Sequence, residues 1–440
     1  MVRLCHSLCK TLARRIAKIQ PRALDDRLRE QVRDRVLDTA GVAMFGASAA
    51  GISALGALDQ SNDVLAMCAA ARASEADDIH AQSCVTIGSI VIPAALWAAR
   101  RCDADDERLA CAILAGYEAG TWLGVAIEGA DRVYGGLWPS YFVAPFAAAA
   151  TVAHFSGSSE TIGEALAIAS GHIAGDMPAP AEPTARWLSF AVAMQAGIRS
   201  AMFAQAGLRG DCSYLERRLA RSFGTRVNGP AVNIDGQFAL VQTDMKPFCM
   251  AFQLLSAAQA AQHAVKVDAG PIFAIRLRVP KQTLRMVDRP NPEPSVALTS
   301  GQLQIATAIL RPELLYRRDR EALLEDAEVR ALMSRVTVEA DARLSERYPE
   351  HWGASVEIDY ESRHSFCAVD DPLGSRYQPL DAAALRHKLL HLALPPHFER
   401  ELSQILSNMF ARDSRSSELL TLFGETWRPV APGSRPAILH

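Results

Sequence analysis

The sequence predicts a mainly α protein: a large all-helical domain interrupted by a smaller α+β domain. Three observations carry this. Ala-rich segments, apolar on nearly every side and separated by Gly or Pro, recur through the first part of the chain, as helices buried on most faces do. Near Ala269 the period changes, and Ile272–Val279, Arg335–Asp341 and Ala354–Tyr360 alternate with period two, as strands do. Beyond Pro379 the helical period returns. The expected organisation is residues 1–268 helical, 269–382 α+β, and 383–440 helices that return to the first domain.

Each element has a local reason. Leu4, Leu8, Leu12 and Ile16 among Lys10, Arg14, Arg15 and Lys18 describe an amphipathic first helix that packs on the body; an organelle-type transit peptide is the alternative. Arg27–Ser48 is a helix whose Gly41 and Gly46 point to close helix–helix approach. Leu65–Ala73 follows, and an acidic stretch then enters the buried segment Ala94–Ala99. Next come Glu107–Ile127, a loop broken at Gly135, Gly136 and Pro139, and helices over Ala144–Phe155, Ser158–Ala169 and Trp187–Ala206, the last ending on Gly207. In the α+β domain, helices at Gly301–Ile309 and Arg320–Met333 separate the first two strands. Leu385–Leu394 and Phe398–Met409 are the closing helices, and the Pro-containing tail after Thr426 reads as extended.

Composition narrows the function. The 440 residues carry 46 basic and 49 acidic groups, a net charge of −3, so no global field selects nucleic acid or an anionic membrane. No uninterrupted apolar run reaches the ~18–20 residues of a bilayer span. The nine cysteines form no CxxC and fit reduced thiols in a cytoplasmic protein. No metal-ligand spacing stands out: His387 and His391 are four apart but read as one helix face. There is no GxGxxG, Walker or GxSxG sequence.

Polar chemistry is densest at Glu75, Asp77, Asp78 and His80, directly before an apolar helix. Such a cluster is either a loop that caps the helix or the rim of a pocket.

Several phrases, taken in order, carry a resemblance. They are Leu37–Ala47, Asp77-Asp78 before the Gly88 and Pro93 helix entry, and Gly116-Tyr-Glu-Ala-Gly120. Pro139-Ser140, Ala193–Gly210, Met245-Lys-Pro-Phe-Cys249, Ser300–Leu310 and Val336–Val338 follow. Together they resemble the MmgE/PrpD family of 2-methylcitrate dehydratases, cis-aconitate decarboxylases and related epimerases. The resemblance implies a helical body, an α+β lid, an active site between them, a homodimer, and chemistry that needs no metal or organic cofactor. It aligns Lys246 with a family lysine, Asp77-Asp78 with paired aspartates, Glu75 with an aspartate, and Arg186 with a lysine. It also shows departures. Ile79 replaces a threonine, and Val85-Thr86, Trp138 and Ala251 stand where the family has histidines.

Elimination or epimerisation beside a carboxylate needs a base, an acid and cations. Candidate catalytic groups are Asp77, Asp78, His80 and Lys246; candidate substrate-binding groups are Glu75, Tyr134, Trp138, Arg186 and Cys249. With cations reduced to Lys246 and Arg186, and Trp138, Val85, Ile79 and Phe252 nearby, the expected pocket is comparatively apolar. It would suit a carboxylic acid or carbonyl-containing metabolite with few charges. Plainer readings stand beside these: Asp78 as a helix cap, His80 as a packing histidine, and Arg186 as a surface cation at a helix start. The expected activity is a cofactor-independent lyase. An isomerase, epimerase or cyclase is the alternative, and a catalytically silent binder is a third.

Overall fold

The computed structural model describes residues 7–49, 52, 63–175, 183–223, 237–266, 270–392, 394–412 and 414–427. The first six residues, Leu4 among them, and the tail from 428 lie outside that set.

Helix boundaries follow their caps. Ser7, Asp25, Asp105 and Ser158 each accept a backbone N–H from the first turn of the helix they precede: Leu8–Ile16, Asp26–Gly46, Asp106–Ala126 and Ser159–Ala169. Asp63–Ala73 and Gly88–Arg101 lie between the second and third of these. Pro139–His154 begins five residues before the expected start because Pro139 occupies its first position, where a missing N–H costs nothing. Pro183–Gln205 ends at Gly207 in the left-handed region (φ 89°), as expected.

These helices share one apolar core, joined from the far end of the chain by Phe398, Leu402, Leu406, Leu419 and Phe423. Asp106–Ala126 is the one described helix long and apolar enough to cross a bilayer, yet 89% of its apolar window is buried inside the protein. It is a central core helix.

Close packing rests on missing side chains. A Cβ on Gly46 would lie 1.9 Å from the Ala70 carbonyl oxygen of the neighbouring helix, and one on Gly41 would lie 2.3 Å from the Leu389 side chain. Both sequence-read approaches are present.

The α+β part is a four-stranded sheet in the order β2-β1-β3-β4, with β1 Ile272–Pro280, β2 Val336–Asp341, β3 Ala354–Tyr360 and β4 His364–Val369. β1 and β2 are parallel, which requires the long helical crossover between them; β1–β3 and β3–β4 are antiparallel. Ile275, Leu277, Val356 and Ile358 point into a second core with Leu303, Ile305 and Leu255. On the opposite face Arg276 pairs with Glu357 (2.5 Å) and Asp359 (3.0 Å), and Arg278 pairs with Glu357 (2.9 Å). Glu357, Asp359 and His364 converge closely enough to hold a metal ion, but these guanidinium groups already answer their charge.

Three details differ from expectation. Helix Leu255–Ala264, which falls within the expected helical domain 1–268, packs in the second core with the sheet. β4 is an edge strand with no buried residue, so it lacks the apolar alternation that marks a strand. The expected helix Arg320–Met333 is a short 3-10 turn, Glu321–Leu324, followed by helix Ala327–Met333, because Asp326 turns back to cap the second piece. Gly46→Ala is expected to destabilise the protein by about 1–3 kcal/mol through overpacking at Ala70, read as a lower urea midpoint at unchanged m value.

Candidate active site

A cavity of about 530 Å³ opens between the helical body and the α+β part. Its body wall holds Arg72, Glu75, Ile79, Tyr134, Trp138, Arg186, Trp187 and Lys246. Its other wall holds Arg285, Arg289, Arg318 and Arg320 with the turn Pro294–Thr299.

The body wall is built by a loop that two distant lysines clasp. Helix Asp63–Ala73 ends, and Glu75 takes a left-handed conformation (φ 55°) that non-glycine residues adopt only when held. Lys246, with a side chain only 2% exposed, donates to the Glu75 carbonyl (3.1 Å) and to Asp77 Oδ1 (3.2 Å). Lys388, on helix Ala382–His391, donates to the Ala76 carbonyl (2.8 Å) and to Asp38 (2.5 Å). The loop then pairs with the segment before Lys246 through reciprocal backbone hydrogen bonds between Ile79 and Asp244.

Charges interlock around Glu75. Arg72 donates to Glu75 (3.1 Å) and Asp77 (3.3 Å), Arg186 lies 3.7 Å from Glu75, and Lys246 lies 3.9 Å from its carboxylate. Burial pushes the Glu75 carboxyl up, but Arg72, Lys246 and Arg186 together outweigh it and hold the group below the ordinary range. Burial depresses Arg186, against the opposing pull of Glu75. Both guanidinium groups rest on aromatic faces, with Arg186 4.0 Å and Arg72 4.8 Å from the Trp187 ring. Trp138 packs on Trp187 and Phe190, so the position read as a lost histidine belongs to an aromatic wall.

Tyr134 lines the same cavity. Its hydroxyl faces Gln253 Nε2 (3.4 Å) and the Tyr348 hydroxyl (3.3 Å), and Tyr348 in turn donates to the Ala130 carbonyl. Burial raises the Tyr134 phenol, which therefore stays protonated and able to donate a hydrogen bond.

The cavity thus gathers Glu75, Tyr134, Trp138, Arg186 and Lys246. It does not gather the other four candidates. Asp77 lies one layer behind, bound to Lys246 and Arg72. Asp78 accepts the Tyr117 hydroxyl (2.7 Å) and the Gly88 N–H (2.7 Å), anchoring the first turn of helix Gly88–Arg101, which is the capping role. His80 is buried against Ser83 (2.9 Å) away from the cavity. Cys249 points its thiol at the Tyr316 carbonyl (3.2 Å), and burial lifts it to about 11, so it is neither at the wall nor a ready thiolate.

The expectation of only two cations is also corrected. Among the described residues, seven line the cavity against three carboxylates, Glu75, Asp319 and Glu321. Sequence reading missed Arg72 because its role depends on Trp187, more than a hundred residues away. It missed the arginines of the second wall because scattered arginines resemble solvated faces. Of these, Arg320 is committed elsewhere, to Gln304 and the carbonyls of Cys249, Leu314 and Leu315.

Two titrating groups give opposite signatures. Burial lowers His80 to about 3, so between pH ~6.5 and 3 the unfolded chain binds a proton that the folded one refuses, and stability falls as pH falls. Burial raises Asp78 to about 6, so between about pH 4 and 6 the folded chain holds a proton longer, and that contribution is lost as pH rises. Equilibrium unfolding across pH 4–7 should therefore show His80→Gln flattening the acid-side loss, and Asp78→Asn flattening the opposing slope. Lys388→Met, which strands buried Asp38, is expected to cost about 3–5 kcal/mol in the same measurement.

Comparison with curated proteins gives no match. Residues 56–219 match the MmgE/PrpD N-terminal domain, and residues 248–411 match the MmgE/PrpD C-terminal domain. Members of that family are generally enzymes, dehydratases and decarboxylases among them. With both domains matched in order over more than half its length, the chain belongs to the MmgE/PrpD family.

Proposed function

We propose that the protein is a lyase, a dehydratase or decarboxylase, that moves a proton at a carbon beside a carboxylate or carbonyl. The observation that carries this reading is the placement of Lys246. Its amine lies on the cavity wall, shielded from bulk water, and is aimed by the Glu75 carbonyl and Asp77. In this reading Lys246 is the proton-carrying group, and Asp77 positions it without touching substrate. Tyr134 is the second proton donor on the same cavity, placed to hydrogen-bond the substrate oxygen on which charge develops. Trp138, Ile79 and Phe252 pack the carbon skeleton, and the α+β part serves as a lid that keeps water from the carbanion.

The same pair favours an isomerase or epimerase as the second reading. One group can remove a proton and the other return it with no bond to a leaving group broken.

Incubation of the pure protein with pooled organic acids and carbonyl intermediates in D2O, followed by mass spectrometry, tests the reading. Mass loss of water or carbon dioxide supports the lyase; deuterium uptake without mass loss supports the isomerase. Lys246→Ala is expected to lower turnover more than tenfold, about 1.4 kcal/mol of barrier, and Tyr134→Phe to lower kcat more than KM. Unchanged rates in both variants would sink the assignment.

A further inference from the structure

The cavity's two walls carry their positive charge differently. On the body wall Arg72, Arg186 and Lys246 surround one point in space, and a carboxylate already occupies that point. It belongs to Glu75, whose side chain is 15% exposed and lines the cavity. Its left-handed backbone turns it there, and the Lys246 bond to its own carbonyl keeps the turn in place. Asp77, just behind, takes a further share of Arg72 and Lys246. Three cations are therefore answered by two carboxylates of the chain itself, and Arg186 has no ionic partner except Glu75 among the described residues.

The second wall is the reverse. Arg318 is paired with Asp319 (2.7 Å), and Arg320 is spent on carbonyls. Arg285 makes no ion pair among the described residues, and Arg289 uses only its Nε, on the Met286 carbonyl (2.7 Å). Two arginines thus line the cavity with no ion pair among the described residues. Between the walls lie Ile79, Trp138 and Phe252.

We infer that Glu75 sets the charge of the substrate: by filling the body-wall cradle it restricts the cavity to organic acids with one anionic group, which Arg285 and Arg289 hold while the uncharged end lies against Lys246. A second carboxylate at the cradle would meet Glu75 at close range in a partly dehydrated cavity, where like charges repel strongly. If Lys246 is the proton-carrying group, as proposed above, the reacting end is then a neutral carbonyl, and the substrate is a keto or enone acid.

Titration calorimetry of the full chain with hexanoate and adipate, which share a six-carbon skeleton and differ by one carboxylate, tests this. Wild type is expected to bind hexanoate at least tenfold more tightly than adipate. Glu75→Gln should tighten adipate at least tenfold with little change for hexanoate, and adding Arg186→Gln should remove that gain. Arg285→Ala with Arg289→Ala should weaken hexanoate at least tenfold. A Glu75→Gln protein that binds hexanoate tenfold more weakly would overturn the inference. So would equal binding of both acids by wild type, no gain in a Glu75→Gln protein that melts as wild type does, or no measurable binding of either acid. Because the readout is binding, loss of turnover in Lys246→Ala and failure of this charge rule are separate results.

Discussion

Everything around the cavity depends on two ammonium groups that hold consecutive peptide carbonyls. Lys246 takes Glu75, Lys388 takes Ala76, and each closes a second bond to a buried carboxylate. Burying a charge costs several kcal/mol unless it is paired and its hydrogen bonds are made, and both lysines meet that condition. The return is positional. The Glu75–Asp78 loop has no regular structure of its own, yet it must present one acid to the cavity, turn a second toward Lys246 and send a third back to anchor a helix. Each of those directions is fixed by a cation or a donor from elsewhere: Arg72, Lys246, Tyr117 and the Gly88 N–H.

The same arrangement answers much of the cavity's positive charge on one wall. Counted by residue, the cavity is strongly positive. Counted by available charge, the body wall is nearly spent and the second wall holds what remains. Stacking of Arg72 and Arg186 on Trp187 keeps those guanidinium planes fixed, which a lysine in either place would not do. The aromatic at Trp138, where the resemblance expects a histidine, completes the surface on which the cations are arranged.

Much of the fold was legible because its causes are local. Caps, glycines and the change from a 3.6 to a 2.0 period locate most elements within a few residues. β4 was hidden because its packed face, Ser365, Cys367 and Val369, is only partly buried and its outer face carries Phe366, so the apolar alternation is lost, and Ala327–Met333 was shortened by a cap that also reads as part of a longer acidic helix. The site was legible only in part. Lys246, Glu75 and Trp138 could be placed by order along the chain, since the family phrases bracket them. Asp78 and Cys249 lie inside those phrases and His80 just beyond one, yet none lines the cavity, because neighbouring positions of a tight loop face different ways. Arg72, Arg285 and Arg289 were invisible for another reason: a guanidinium becomes a site residue only through what the tertiary structure leaves unpaired.

The Lys388 clasp also bears on how the molecule comes into being. Ala76 and Lys388 are separated by 312 positions, and Glu75 and Lys246 by 171. A nascent chain leaves the ribosome N-terminus first, so the acidic loop emerges long before either of its holders exists. The loop therefore completes its set of donors only once helix Ala382–His391 has been made and has docked. A polypeptide ending before that helix would leave the Ala76 carbonyl and the Asp38 carboxylate without Lys388.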